Sequence, residues 1–232
     1  MGTARSRIYG IEVDFLKDTK AFDFWYSKMP SYRKEKTDRI KPESGKRLSL
    51  GAGILLYTGL KEFGIEGASV FYGENKKPYI DMNLKSGLND EGAGSLYFNL
   101  SHSGSMAVCA FSDSEVGIDI EQNKDFNDSL INYVFDEREA EFIRLQKEDI
   151  TERNAFFTSL WTMKESIMKY YGKGIAMGPK NIFIDLEKEL TVYYDGEPQN
   201  DIHLSTYTFK DYQICVCSDR IPFVESIEMF NY

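Results

Sequence analysis

Val116-Gly117-Ile118-Asp119-Ile120-Glu121, at the middle of the 232-residue chain, alternates apolar and acidic positions as a strand does. A strand sends residues i and i+2 to one face, with Cα atoms roughly 6 to 7 Å apart, so Asp119 and Glu121 share a face. Tyr9-Gly10-Ile11-Glu12-Val13-Asp14 has the same pattern near the start: a glycine, then two acids flanking a β-branched residue, then helical sequence. Self-similarity about half a chain apart suggests two related halves joined near residues 112 to 115. The expected division is 1–113 and 114–232.

The whole chain narrows the function classes. Its 42% hydrophobic and 14% aromatic content, with no tract of Pro, Ser or Gln, is that of a globular protein. No apolar run approaches the roughly 20 residues of a membrane span, and no apolar signal region opens the chain, so a soluble cytoplasmic protein is the expectation. Gly2 and Ser6 fit a loose myristoylation pattern that we set aside as chance. Three cysteines (Cys109, Cys215, Cys217) and two histidines (His102, His203) show no zinc-ligand spacing and read as buried thiols and ordinary imidazoles. A net charge of -9 argues against nucleic-acid binding, which rests on neutralising phosphates. The local exception is Arg33 to Arg47, where Arg33, Lys34, Lys36, Arg39, Lys41, Lys46 and Arg47 face only Glu35, Asp38 and Glu43. Taken alone, such a run is better explained as a solvated helix face.

Periodicity predicts a strand over Arg7 to Phe15, a helix over Lys20 to Lys28 with Phe22, Trp25 and Tyr26 inward, and a helix over Lys46 to Phe63. The basic run then sits at the entry of that second helix, where backbone N–H groups favour anions. After a turn-rich stretch ending near Gly94 come strands at Leu96 to Leu100, Met106 to Phe111 and Val116 to Glu121, separated by SHSG and SDSE turns. Helices follow at Asp128 to Val134, at Asp136 to Gln146 with Asp136 and Glu139 in capping-box spacing, and at Arg153 to Tyr171, stopped by Gly172. Strands fill the rest: Asn181 to Leu186, Leu190 to Tyr194, Ile202 to Phe209 and Tyr212 to Ser218.

Two carboxylates side by side repel, so a shared Mg²⁺ is one reason to place Asp119 beside Glu121; an edge strand with solvated acids is the other. Glu165 lies four residues after Trp161 and three before Met168, on an otherwise apolar side of its helix, where an unpaired carboxylate is costly. Lys169, at i+4, offers an ordinary helix salt bridge. Ser101-His102 carries no nucleophile elbow or acid partner, so a nucleophilic pair is rejected in favour of phosphate contacts. Gly172-Lys173-Gly174 is too short for a phosphate loop, and no P-loop or Rossmann fingerprint occurs.

FNLSHSGSMAVCAF, VGIDIEQ and LWTMKESIMKYYGKGI resemble the three hallmark blocks of the 4'-phosphopantetheinyl transferases, in the larger class that activates surfactin synthetase. RIYGIEVD, KRLSLGAGILL and NKKPYI extend the resemblance over most of the chain. It implies an α+β fold, a pseudo-dimer of two similar α/β halves and a monomer, with coenzyme A in the cleft between them. The N-terminal half would contact the coenzyme A phosphates; the C-terminal half would carry the metal and dock the carrier.

The resemblance implies magnesium ligands at Asp119, Glu121 and Glu165, with manganese as an alternative ion. It implies coenzyme A contacts at Lys169, Ser101, His102, Lys77 and Arg47, and at Arg33 and Lys36 if one residue is gapped; Lys34 or Arg39 fits either of the last two places. The implied reaction transfers 4'-phosphopantetheine from coenzyme A to a serine of an apo peptidyl, acyl or aryl carrier protein. It releases 3',5'-ADP and activates nonribosomal peptide, polyketide or fatty-acid synthases. Catalysis would fall to Asp119, Glu121, Glu165 and Lys169, with Glu165 or Glu121 as base. Tyr133, Val134, Phe135 and Phe142 are carrier-docking candidates by position, unless they pack a helix core. A coenzyme A-binding module without turnover and a phosphohydrolase are the competing readings.

Overall fold

The alternation along Arg7–Glu12 produces a strand, but Val13–Lys17 then closes into a 3-10 turn instead of extending it. The computed structural model describes residues 6–67, 69–73, 75, 77–81, 95–145, 149–186, 190–220 and 223–232. The turn-rich stretch ending near Gly94, together with Gly2 and Gln146, lies outside them. In chain order the elements are β1 (Arg7–Glu12), α1 (Thr19–Lys28), α2 (Ser31–Asp38), α3 (Glu43–Glu62), β2 (Val70–Tyr72), β3 (Pro78–Asp81), β4 (Ser95–Ser103) and β5 (Met106–Ser112). Next come β6 (Val116–Gln122), α4 (Asp128–Val134), α5 (Glu137–Leu145), α6 (Ile150–Tyr170), β7 (Ile182–Asp185), β8 (Thr191–Tyr194), β9 (Glu197–Pro198), β10 (His203–Phe209), β11 (Tyr212–Ser218) and β12 (Glu228–Phe230).

The chain divides into two compact units, 1–114 with 224–232, and 115–223. Each runs strand, helices, strands, and each sets one long helix on a sheet, mixed in the first unit and antiparallel in the second, an α+β architecture. In the first unit the strand order is β12-β1-β5-β4-β3-β2. The last residues join this unit because β12 pairs in parallel with β1, Tyr9 facing Glu228, and Phe230 stacks on the Tyr9 ring at 4.9 Å. Helix α3 lies against β1 and β5 through its glycines: a Cβ on Gly51 would strike Val13, and one on Gly59 would strike the Phe111 ring. Ile54, Leu55 and Leu60 fill the core on this side with Ile11, Leu96 and Phe111.

In the second unit β11 sits between β10 and β6, and β7, β8 and β9 form a separate small sheet. Helix α6 starts on Asp149, whose side chain accepts from Thr151 and Glu152 N–H, and ends at Gly172, where φ is 67°. Its apolar residues Phe157, Leu160, Ile167 and Met168 pack with Cys215 and Cys217 of β11. All three cysteines are free and buried.

The capping box of α5 forms as the sequence implies, the Asp136 carboxylate accepting from Arg138 N–H while Glu139 accepts from Asp136 N–H at 3.0 Å. Glu139 does more. Wholly buried Lys164 donates to its carboxylate at 2.5 Å and to the carbonyls of Val134 and Pro179, while Ile184 N–H donates to its other oxygen. Burial pushes the Glu139 carboxyl up and the Lys164 ammonium down, and their mutual attraction opposes both shifts. This one pair therefore joins α4, α5, α6 and β7.

Three expectations change. Only part of the basic run, Lys46 and Arg47, sits at the entry of α3, because Pro30 and Pro42 each begin a helix and Arg33, Lys34 and Lys36 occupy the separate α2. Ser101, His102 and Ser103 are not a turn: they extend β4 opposite Val108, Ala107 and Met106, and the hairpin turns at Gly104, with φ of 56°. The two similar hexapeptides also differ in facing. Tyr9 and Ile11 lie in the core under α3, and Gly10 instead meets Met229 and Ile227, whereas Gly117 lies against α6.

Removing one member of a buried ion pair leaves the other uncompensated, so Lys164→Met should lower unfolding free energy by about 3 to 5 kcal/mol. Adding Glu139→Leu should restore part of that loss. Urea unfolding of both variants checks this, and a double variant no more stable than the single one contradicts it.

Candidate active site

The site forms where β6 and α6 meet. Gly117, Asp119 and Glu121 alternate onto one face of β6, the face that also carries Cys215 through its pairing with Asp119. Any side chain at Gly117 would drive into the Ser166 carbonyl and the Tyr170 N–H of α6, so glycine is what lets the helix backbone rest on the strand. Ser166, which flanks this contact, donates to the Met163 carbonyl at 2.7 Å and to the Cys215 sulfur at 3.3 Å.

This close approach brings Glu165 and Lys169 to Asp119. Lys169 Nζ donates to Asp119 Oδ1 at 2.6 Å, with the Asp119 side chain 5% exposed. The lysine thus pairs across to the strand, not with Glu165 along its own helix. Lys124 Nζ stands 3.5 Å from Glu121, a longer and more exposed pair. Burial raises the Glu165 carboxyl above its ordinary value, Asp119 and Glu121 add to the shift, and Lys169 opposes it. Asp119 and Glu121 therefore both act on Glu165, and among the described residues Lys169 and Lys124 are the lysines paired with these acids.

Among the described residues no three carboxylate, imidazole or thiol groups are already placed to hold a metal ion. The donor set nevertheless suits a hard divalent cation: three carboxylates, no soft ligand, and a like-charge repulsion that a cation relieves. The solvated edge strand is excluded for Asp119, though β6 does lie at the edge of its sheet.

The other expected residues lie in the first unit. Arg47 is half-buried in the first turns of α3, Lys77 is buried just before β3, and Lys36 is exposed on α2. Ser101 is buried and His102 exposed, as neighbours on a strand must point to opposite faces. Arg33 departs from its expected role as a phosphate contact, because it is 5% exposed and donates Nη2 to the Ser49 carbonyl inside the unit. Of the docking candidates, Val134 and Phe135 are core residues, Phe142 is half-buried, and Tyr133 is 63% exposed. Sequence reasoning missed the Lys164–Glu139 pair. Its signal was a lysine amid apolar α6 residues and a capping-box glutamate, which local pattern alone explains.

Residues 115–217, nearly all of the second unit, match the 4'-phosphopantetheinyl transferase superfamily. Over that unit the chain is similar to this superfamily of transferases. Its likeness to 4'-phosphopantetheinyl transferase Sfp of Bacillus subtilis (strain 168), 27% identical, covers 97% of this chain and 98% of that protein. The 4'-phosphopantetheinyl transferase gsp of Aneurinibacillus migulanus is also 27% identical, over 90% of this chain and 86% of its own length. HetI of a Nostoc species, another 4'-phosphopantetheinyl transferase, is 34% identical over 58% of this chain and 55% of its own. No described helix is long and apolar enough to cross a membrane.

Gly117→Ala should force α6 off β6, costing about 1 to 3 kcal/mol as overpacking does. It should also lower activity more than stability, because Glu165 and Lys169 move with the helix. Equal activity per folded molecule, measured alongside the thermal midpoint, contradicts this.

Proposed function

We propose that this chain transfers 4'-phosphopantetheine from coenzyme A to a serine hydroxyl of an apo carrier protein, releasing 3',5'-ADP, with magnesium held by Asp119, Glu121 and Glu165. The observation that supports this reading is the Lys169–Asp119 ion pair at the β6–α6 contact, beside a Glu165 carboxyl raised by burial and by the charges of Asp119 and Glu121.

The carrier serine attacks the β-phosphorus of the coenzyme A pyrophosphate; a phosphorus–oxygen bond forms to the serine and the bond to the bisphosphate leaving group breaks. When bound, magnesium supplies positive charge to the phosphate oxygens. Lys169 keeps an ammonium beside Asp119, where it is available to the same oxygens as negative charge develops. Glu165, whose carboxyl is raised by burial and by Asp119, accepts the serine proton on a carboxylate oxygen. Lys36, Arg47 and Lys77, with the Ser101–His102 end of β4, bind the coenzyme A phosphates by charge and hydrogen bonding. Exposed Tyr133 and half-buried Phe142 offer the carrier apolar docking points. We further propose a cytoplasmic monomer serving peptidyl, acyl or aryl carriers of nonribosomal peptide, polyketide or fatty-acid synthases.

Intact mass of several apo carriers, after incubation with the protein, coenzyme A and Mg²⁺, tests the reaction. The expected result is a phosphopantetheine mass gain that falls at least about 100-fold in rate with Asp119→Ala, the scale of losing one transition-state charge contact. Coenzyme A binding with no gain on any carrier would instead identify a binding module, and bisphosphate release without a carrier would identify a hydrolase.

A further inference from the structure

Asp119 already holds one cation. Lys169 Nζ donates to its Oδ1 at 2.6 Å, and the aspartate side chain is buried. On the proposed function, on which this inference rests, Asp119 is also a ligand of a divalent cation. Two cations then compete for one buried carboxylate, because an ammonium hydrogen-bonded to Oδ1 takes up a lone-pair direction and repels a second positive charge.

The geometry decides which partner yields. Asp119 is fixed inside β6, opposite Cys215 of β11, and the strand meets the α6 backbone at Gly117. Lys169 is the adaptable member. It stands in the last turn of α6, its side chain is 26% exposed, and its ammonium ends a flexible four-carbon stem. An ammonium released from Asp119 stays anchored to α6 and so remains beside the site. Glu121 has a lysine of its own, Lys124, but at 3.5 Å and with the lysine side chain 58% exposed, an arrangement that holds the carboxylate weakly.

We propose that Lys169 is a tethered counter-ion that exchanges partners: it neutralises Asp119 until a divalent cation takes that carboxylate, and is then released toward the coenzyme A phosphates. Binding of the cation and presentation of the ammonium become one event. Lys169 therefore lowers the affinity of the site for free metal and couples that affinity to the phosphates that receive the ammonium.

Mn²⁺ binding to the full chain without coenzyme A, read from the electron paramagnetic resonance signal of the free ion, tests the exchange. Lys169→Met should bind Mn²⁺ at least about tenfold more tightly than the unaltered protein, since an uncompensated buried carboxylate gains most from a new cation. Lys124→Met, which removes the same charge from the longer and more exposed pair, should gain about twofold or less. Acetylation of the unaltered chain by an amine-reactive ester, mapped by mass, needs no variant and decides the matter if Lys169→Met does not fold. Added Mg²⁺ should speed labelling of Lys169 at least about threefold by freeing its charge-assisted hydrogen bond, against exposed Lys173 as the internal reference. Equal or weaker Mn²⁺ binding by Lys169→Met, an equal gain in Lys124→Met, or labelling of Lys169 indifferent to Mg²⁺ would overturn the proposal. The expected metal binding and labelling, with no phosphopantetheine gained by any carrier, would leave the exchange standing and sink the transfer reading alone.

Discussion

The contact between the α6 backbone and Gly117 governs the chemistry of the second unit. A helix packed on a sheet is ordinarily held off by the side chains between them, whose close-packed volume sets the spacing. Omitting the side chain at one strand position removes that spacing. Asp119 can then be both buried and paired with Lys169, and Glu165 comes under the influence of both. The same helix is held from its other side by Lys164, so consecutive residues 164 and 165 serve opposite ends: one closes a charge inside the core, the other carries one to the site.

Electrostatics explains why this arrangement is tolerated and what it is suited for. Lys164 and Glu139 neutralise each other, and their remaining hydrogen-bonding capacity is met by backbone groups, which is the condition for a buried pair to be stable. The Asp119 site is different: burial first, then the charges of Asp119 and Glu121, raise the Glu165 carboxyl, and Lys169 opposes the shift. A region left with excess negative charge at a rigid helix–strand contact is prepared for a cation. In the first unit the imbalance is reversed at Arg33, where burial isolates a positive charge.

Local order was largely legible in the sequence. The limits of α4, the Gly172 stop of α6, the Asp136–Glu139 capping box and the strands near the C-terminus all follow from short-range rules that operate within a few residues. The separate helix α2 was missed because a charged run with two flanking prolines reads as one basic segment until the chain is seen to restart at each proline. Ser101 and His102 were read as a turn because serine and glycine signal turns, yet cross-strand pairing with β5 carried β4 through them.

By itself the sequence determined the order of most helices and strands, the alternation that puts Asp119 beside Glu121, and the family blocks, whose resemblance implied the α+β class; each depends on residue type and spacing along the chain. Tertiary structure alone decided that Lys169 pairs with Asp119 instead of Glu165, that Lys164 reaches Glu139, that the last residues complete the first sheet, and that Arg33 turns inward. Each of these joins residues distant in sequence or chooses between two partners within reach. Such choices follow from the approach of packed elements, which no local pattern specifies.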